Sequence, residues 1–307
     1  PGALGILTRA MKLGLDIGGT KIEAAVLDGD GEIRFQRRRA TPASYTGMLA
    51  LVQQMVEEAE KSMGCSMTVG VGSPGAISPQ TGIMQNAENI EGLDGRRLDR
   101  DLEAALDRPI RLANDADCFA LSEAVDGAAA GGSLVLGVIL GTGCGGGLVM
   151  ERKLIRGSNA SAGEWGHNSL PWPDASEFPA PACICGKHGC MELYLSGPGM
   201  SRDHLDKTGD RLSAPVIVDR ARKGDAGCSA TFDRYAHRLA RAMASLINVL
   251  DPEVIVVGGG LSQIDALYDQ VPALWQQFVS GSRTGTRFVP NKHGDSSGVR
   301  GAARLWD

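Results

Sequence analysis

No apolar run in this chain is long enough to cross a membrane. The longest clean one, Leu134 to Leu140, falls far short of the ~20 residues a spanning helix needs. Basic runs are equally short. Arg37, Arg38 and Arg39 form the densest one, read as a solvated strand end, and the formal net charge is −5. Concentrated Lys and Arg are what hold a phosphate backbone, so nucleic acid is not expected as a partner. Residues 1–10, ahead of Met11, lack the charged start, apolar run and small-residue cleavage site of a signal peptide. The loop G-x-x-x-x-G-K-[ST] is missing and no G-x-G-x-x-G opens a β–α unit, which disfavours P-loop and dinucleotide folds. No low-complexity segment occurs.

The 307 residues, 43% hydrophobic and 22% charged, suit a globular protein of two ordinary domains. Cysteine is present in odd number, seven. Cys65, Cys118, Cys144 and Cys228 are scattered among apolar or small neighbours, so reduced thiols and a cytoplasmic location are expected.

The segment Lys12 to Asp16 reads as a strand, followed by Gly18-Gly19-Thr20 and a second strand from Ile22 to Leu27. Asp28-Gly29-Asp30-Gly31 turns into a third strand, Glu32 to Ala40. Ser44 caps a helix whose stripe is Met48, Leu49, Val52, Met55, Val56 and Ala59, and Gly64 stops it. Further elements are a strand at Met67 to Gly72, a helix at Leu98 to Leu106, a strand at Ile110 to Leu112 and a helix at Cys118 to Ala129. Then the opening theme returns. Leu134 to Leu140, Gly141-Thr142-Gly143 and Gly146 to Met150 repeat strand, glycine turn, strand. The repeat implies two related α/β domains whose hairpin turns face a shared cleft. Helices are expected near Ala230 to Leu250, after Ser262 and near Val299 to Trp306. A β-branched strand at Val254 to Val257 precedes Gly258-Gly259-Gly260.

Glycine turns let backbone N–H groups approach an anion. Asp16, Gly18, Gly19, Thr20 and Lys21 form the first phosphate candidate, with Asp16 able to hold magnesium through water. Gly141, Thr142 and Gly143 form the second; the alternative for either is an ordinary hairpin. Gly258, Gly259 and Gly260 can approach an adenosine. Asn114-Asp115 lies at a strand end. A carboxylate there can accept a hydroxyl proton during phosphoryl transfer, or simply cap the next helix.

His167, Cys183, Cys185 and Cys190 are a complete ligand set for structural zinc. The spacing Cys-x-Cys-Gly-x-x-Gly-Cys is that of a tight knuckle, in which His188 is a weaker competitor. Glu164 and Glu192 flank it, as acceptors for sugar hydroxyls or as plain surface acids. Trp165, Trp172 and the nearby prolines form a rigid loop that can wall a sugar site or a subunit interface.

With these motifs in order, the chain resembles the ROK family of sugar kinases, which share the two-domain actin/hexokinase-type (ribonuclease H-like) fold. The resemblance runs from Met11 to Trp306. It implies domains at 11–117, joined by the helix at about 298–307, and at 118–297. It also implies ATP-dependent phosphorylation of a hexose at the 6-hydroxyl, with Mg2+, structural Zn2+ and a homodimer. By position Asp115 matches the catalytic base, and Gly75, Asn89, Asn114, Glu164, His167 and Glu192 the sugar site. The stretches Glu123 to Gly131, Glu164 to Trp172 and Lys292 to Ala303 look most like the bacterial fructokinases, also called mannokinases. N-acetylglucosamine kinase and glucokinase are the nearest alternatives, and a sugar-responsive regulator of the family is the non-enzymatic one. Many glucose-type members carry Asn-x-Pro-x-Trp where this chain has Asn89-Ile90-Glu91-Gly92-Leu93.

Overall fold

Two strand glycines decide how the first half of the chain is layered. The computed structural model describes residues 11–87, 90–281 and 283–307. Its described residues divide into two compact units, one within 11–126, 156–162 and 295–307, the other within 127–155 and 163–294. In the first unit β1 (Lys12–Ile17), β2 (Lys21–Leu27), β3 (Ile33–Ala40), β4 (Thr68–Ser73) and β7 (Ile110–Asn114) form one sheet, ordered β3-β2-β1-β4-β7. A small hairpin, β5 (Ala76–Ile77) with β6 (Met84–Gln85), stands apart. Side chains alternate along β1, so Leu13, Leu15 and Ile17 face α1 (Tyr45–Met63), whose Met48, Val52, Met55, Val56 and Ala59 cover them. α2 (Leu98–Leu106) adds Leu98, Leu102 and Leu106 to this core.

The opposite face carries Gly14 in β1 and Gly70 in β4. There the closing helix, Ser297–Arg304, lies directly on the sheet. A Cβ at Gly14 would stand 2.0 Å from the Val299 carbonyl oxygen, and one at Gly70 would stand 1.9 Å from that of Ala302. On its other side Gly301 meets α3 (Asp115–Val125), where a Cβ would come within 1.7 Å of the Cys118 carbonyl oxygen. Three backbones thus approach closer than any side chain permits. The ends of α3 and the closing helix are fastened by Arg300 and Arg304 on Asp126, and Ser297 donates to buried Glu123 at 2.8 Å.

The second unit repeats the strand plan. β8 (Leu134–Leu140), β9 (Cys144–Met150), β10 (Lys153–Leu154), β11 (Val254–Gly258) and β12 (Arg287–Pro290) are ordered β10-β9-β8-β11-β12. Each sheet has two antiparallel partners on one side of its first strand and parallel partners on the other. Its helices are α4 (Glu192–Leu195), α5 (Gly197–Thr208), α6 (Ala214–Arg222), α7 (Ala226–Leu250) and α8 (Ala266–Trp275). Among the described residues no helix is long and apolar enough to cross a membrane.

Candidate active site

In the first unit the polar residues gather at the carboxyl ends of the parallel strands β1, β4 and β7, where open α/β sheets bind ligands. Asp16 lies near the end of β1, on the Gly14 face. Its room comes from Gly298, where a Cβ would fall 2.8 Å from its Oδ2; one at Gly72 would make ordinary contact with its Oδ1, at 3.6 Å. Across the ladder its partner is Glu23, 1% exposed, whose oxygens accept from Gln36 Nε2 at 2.5 Å and Arg38 Nε at 2.8 Å. The arginine run is the solvated end of β3, as its pattern implied: Arg37, Arg38 and Arg39 are all exposed, Arg38 reaching in to the buried Glu23 and Arg39 meeting Glu58 at the surface. Burial, then the charges of Asp115 and Glu23, raise Asp16 to about 7 against the opposing pull of Lys21 and Arg38.

Asn114 takes the capping role, not Asp115. Its Oδ1 accepts from Ala116 N at 2.8 Å, so α3 starts at Asp115 and not at Cys118. Asn114 Nδ2 donates to Gly75 O at 3.2 Å, which joins Gly75 to the same corner. Asp115 Oδ1 accepts from Ala116 N at 2.8 Å. Beside Asn114 a cavity of about 40 Å³ opens between Ile77, Asp117 and Arg156. Neither Asp117 nor Arg156 was singled out from sequence, because each lies outside a recognisable motif. Asn89 lies outside the described residues. The first hairpin closes by Gly18 N to Lys21 O at 2.9 Å and leaves Gly19, Thr20 and Lys21 exposed. Thr41, unremarked in the sequence, donates its Oγ1 to Gly18 O at 2.6 Å.

In the second unit Gly141-Thr142-Gly143 joins β8 to β9, tightened by Gly141 N to Gly143 O at 3.0 Å. β11 runs parallel to β8, with Gly258 opposite Ile139. Gly258, Gly259 and Gly260 therefore emerge beside the second hairpin, at the same end of the sheet.

The knuckle folds back on itself through Cys183 N to Lys187 O and Gly186 N to Cys183 O. Ligand atoms of His167, Cys183, Cys185 and Cys190 all lie within 4.8 Å of one another. Cys185 and Cys190 sulfurs are 3.6 Å apart, and Cys183 Sγ is 3.7 Å from His167 Nδ1. A tetrahedral zinc with Zn–S near 2.3 Å needs sulfurs about 3.8 Å apart, so the donor set fits that ion. The Lys187 N–H lowers the Cys185 thiol to about 7, whereas burial pushes Cys190 up to about 12. Nδ1 is the ring nitrogen of His167 turned to the thiols, which leaves Nε2 for a second partner.

The turn Gly163 to His167 lies flat on β9. A Cβ at Gly163 would meet Gly146 O at 2.4 Å, and one at Gly166 would meet Cys144 O at 2.3 Å. Trp165 is buried and donates Nε1 to Gly145 O at 2.8 Å, while Glu164 is exposed. Glu192 opens α4, and its Oε2 accepts from Cys144 N at 2.9 Å.

Sequence reading also missed the brace behind this wall. Glu177, 6% exposed, takes Arg238 Nε at 2.8 Å and Arg241 on both oxygens. Arg241 also holds the Trp172 carbonyl, and Trp172 stacks on Phe278 with ring centroids 5.4 Å apart. Burial alone raises Glu177; the hydrogen bonds from Arg241 and Arg238 outweigh it and hold the carboxyl below its ordinary range. Asp203 behaves alike between Arg234 and Arg238.

The ROK family model matches residues 12–307. An N-acetyl-D-glucosamine kinase of Escherichia coli O127:H6 is 40% identical over 300 residues, 96% of this chain and 99% of that protein. A ROK hexokinase from Thermus thermophilus superposes with a TM-score of 0.85 at 30% identity, covering 96% of this chain and 97% of the other. A ROK family glucokinase from Streptomyces griseus, solved with glucose and AMPPNP, gives 0.77 at 28%, covering 96% and 99%.

Proposed function

This chain belongs to the ROK family of sugar kinases, with their actin/hexokinase-like α/β fold, and from that premise we propose that it phosphorylates the 6-hydroxyl of a hexose with ATP, fructose first, with mannose and glucose as further acceptors. The observation that carries the chemistry is the pair Asp16 and Asp115, gathered at the strand ends and near enough that the charge of one raises the other. Asp115 acts as general base. It takes the hydroxyl proton as that oxygen bonds to the γ-phosphorus, the bond to the β–γ bridging oxygen breaks, and ADP leaves. Gly18, Gly19, Thr20 and Lys21, with Gly141, Thr142 and Gly143, hold the phosphates, and Gly258, Gly259 and Gly260 approach the adenosine. Asp16 would hold Mg2+ through water, and the ion would supply positive charge against the phosphates. Gly75, Asn89, Asn114, Glu164, His167 and Glu192 receive the sugar. Zinc on His167, Cys183, Cys185 and Cys190 is structural, and the active species is a homodimer.

Support for fructose comes from Glu123 to Gly131, Glu164 to Trp172 and Lys292 to Ala303, which resemble the fructokinase type. The second reading, N-acetylglucosamine as acceptor, is favoured by relatives of that name at 39–40% identity. A coupled ATP assay across fructose, mannose, glucose and N-acetylglucosamine decides. Fructose or mannose is expected to give the highest kcat/KM; N-acetylglucosamine in that place refutes the fructose reading.

A further inference from the structure

The backbone of Cys144, where the second glycine hairpin enters β9, is gripped from two sides. Glu192 Oε2 accepts its N–H at 2.9 Å, and Gly166 lies against its carbonyl oxygen so closely that a Cβ would stand 2.3 Å away. Both gripping residues belong to the segment that carries the zinc ligands and the sugar-site acids. The segment is itself tied together, by Met191 N to Asn168 O at 2.8 Å and Leu170 N to Gly189 O at 2.9 Å. The same oxygen of Glu192 also sets the limit on the hairpin residue before Cys144. A Cβ at Gly143 would lie 2.6 Å from Glu192 Oε2 and 3.5 Å from its Cδ, with nothing else within 4 Å. On the near side of the hairpin, Gly197 N donates to Gly141 O at 2.8 Å, five residues after Glu192.

We propose that Glu192 is a positioning residue for the nucleotide hairpin as well as a sugar contact, one oxygen holding Cys144 and the other serving the hexose. The proposal rests on the kinase reading above. It makes the two binding sites share a carboxylate, so a change at either should register at the other without any movement of the sheet. A charge-assisted bond from a carboxylate to a backbone N–H is among the stronger hydrogen bonds, and its loss slackens the β9 side of the hairpin.

The test is calorimetric titration of the zinc-loaded protein with Mg2+-AMPPNP in the absence of sugar, and with fructose in the absence of nucleotide. Glu192→Ala should weaken AMPPNP about tenfold in sugar-free protein. Glu192→Gln keeps a carbonyl oxygen for Cys144 N–H, so it should hold AMPPNP as the wild type does while losing affinity for fructose. Gly143→Ala supplies the reciprocal. Its Cβ meets only the end of one flexible side chain, so the fold tolerates it, and fructose should bind about fivefold more weakly as the carboxylate is displaced. A residue that merely touches sugar would leave the AMPPNP affinity of Glu192→Ala unchanged, and that result overturns the tie. Unchanged fructose affinity in Gly143→Ala overturns it equally. A wild-type protein that binds fructose but no AMPPNP brings down the kinase reading first, and the tie with it.

Discussion

Asp115 and its neighbour Asn114 stand together where β7 passes into α3. Asn114 caps the helix and anchors Gly75, while Asp115, in the first turn of α3, puts one carboxylate oxygen on the same Ala116 N–H. Asp115→Asn is expected to lower kcat by about 10²- to 10⁴-fold, with fructose affinity nearly unchanged by titration. Retained turnover would dismiss Asp115 as the base. Glu177 offers a prediction about stability. Its folded-state pKa is depressed, so its contribution is present above its ordinary value of 4.5 and fades as pH falls through the folded value. Thermal melts of the wild type should decline on acidification below about pH 4.5. Glu177→Gln takes the carboxylate from buried Arg241 and leaves Arg238 with the Asp203 carboxylate, and should cost about 3 kcal/mol at pH 7, with a shallower acid slope. A variant as stable as the wild type at pH 7 would show the cluster to be dispensable.

At the scale of elements, legibility followed local signal. α1 was readable from end to end. Ser44 accepts from Gly47 N, Gly64 ends the helix at φ 71°, and the buried stripe is the one the spacing implied except for Leu49, which is half-buried. α3 lies earlier than the expected Cys118 to Ala129, by three residues at its start and four at its end. Its own stripe is blurred, since every residue from Ala116 to Val125 is buried. α4, α5 and α6 went unread. α4 has four residues, α5 has few apolar ones, and the apolar stripe of α6, Ala214, Ile217 and Val218, spans barely one turn. In the site, the metal set was legible since the knuckle closes locally, whereas Glu192 and Cys144 stand 48 positions apart and only folding pairs them. The glycines of the sheet face were visible as residues but not as contacts. Gly301→Ala should destabilise by more than ~3 kcal/mol, as its Cβ would collide with backbone that cannot yield. Gly285→Ala, where nothing lies within 4 Å, serves as the control and should cost less than ~1 kcal/mol in denaturant titration.

For the molecule as a whole, the two sheets are built on one strand plan, and among the described residues the thiol knuckle belongs to the second unit. Metal analysis should find about one zinc per chain. Cys185→Ser should lose the ion and lower Tm together, while wild-type Tm in a zinc-free variant would count against a structural role. The first unit has another consequence in its helix Ser297–Arg304, whose residues lie hundreds of positions from the strands they cover. During synthesis the glycine face of β1 and β4 stays bare until that helix emerges. The first-made strands are thus among the last to be completed, and contacts so remote in sequence form slowly. Until then the nascent chain presents a flat, side-chain-poor sheet face, and a nonsense codon after Gly294 would leave it so permanently.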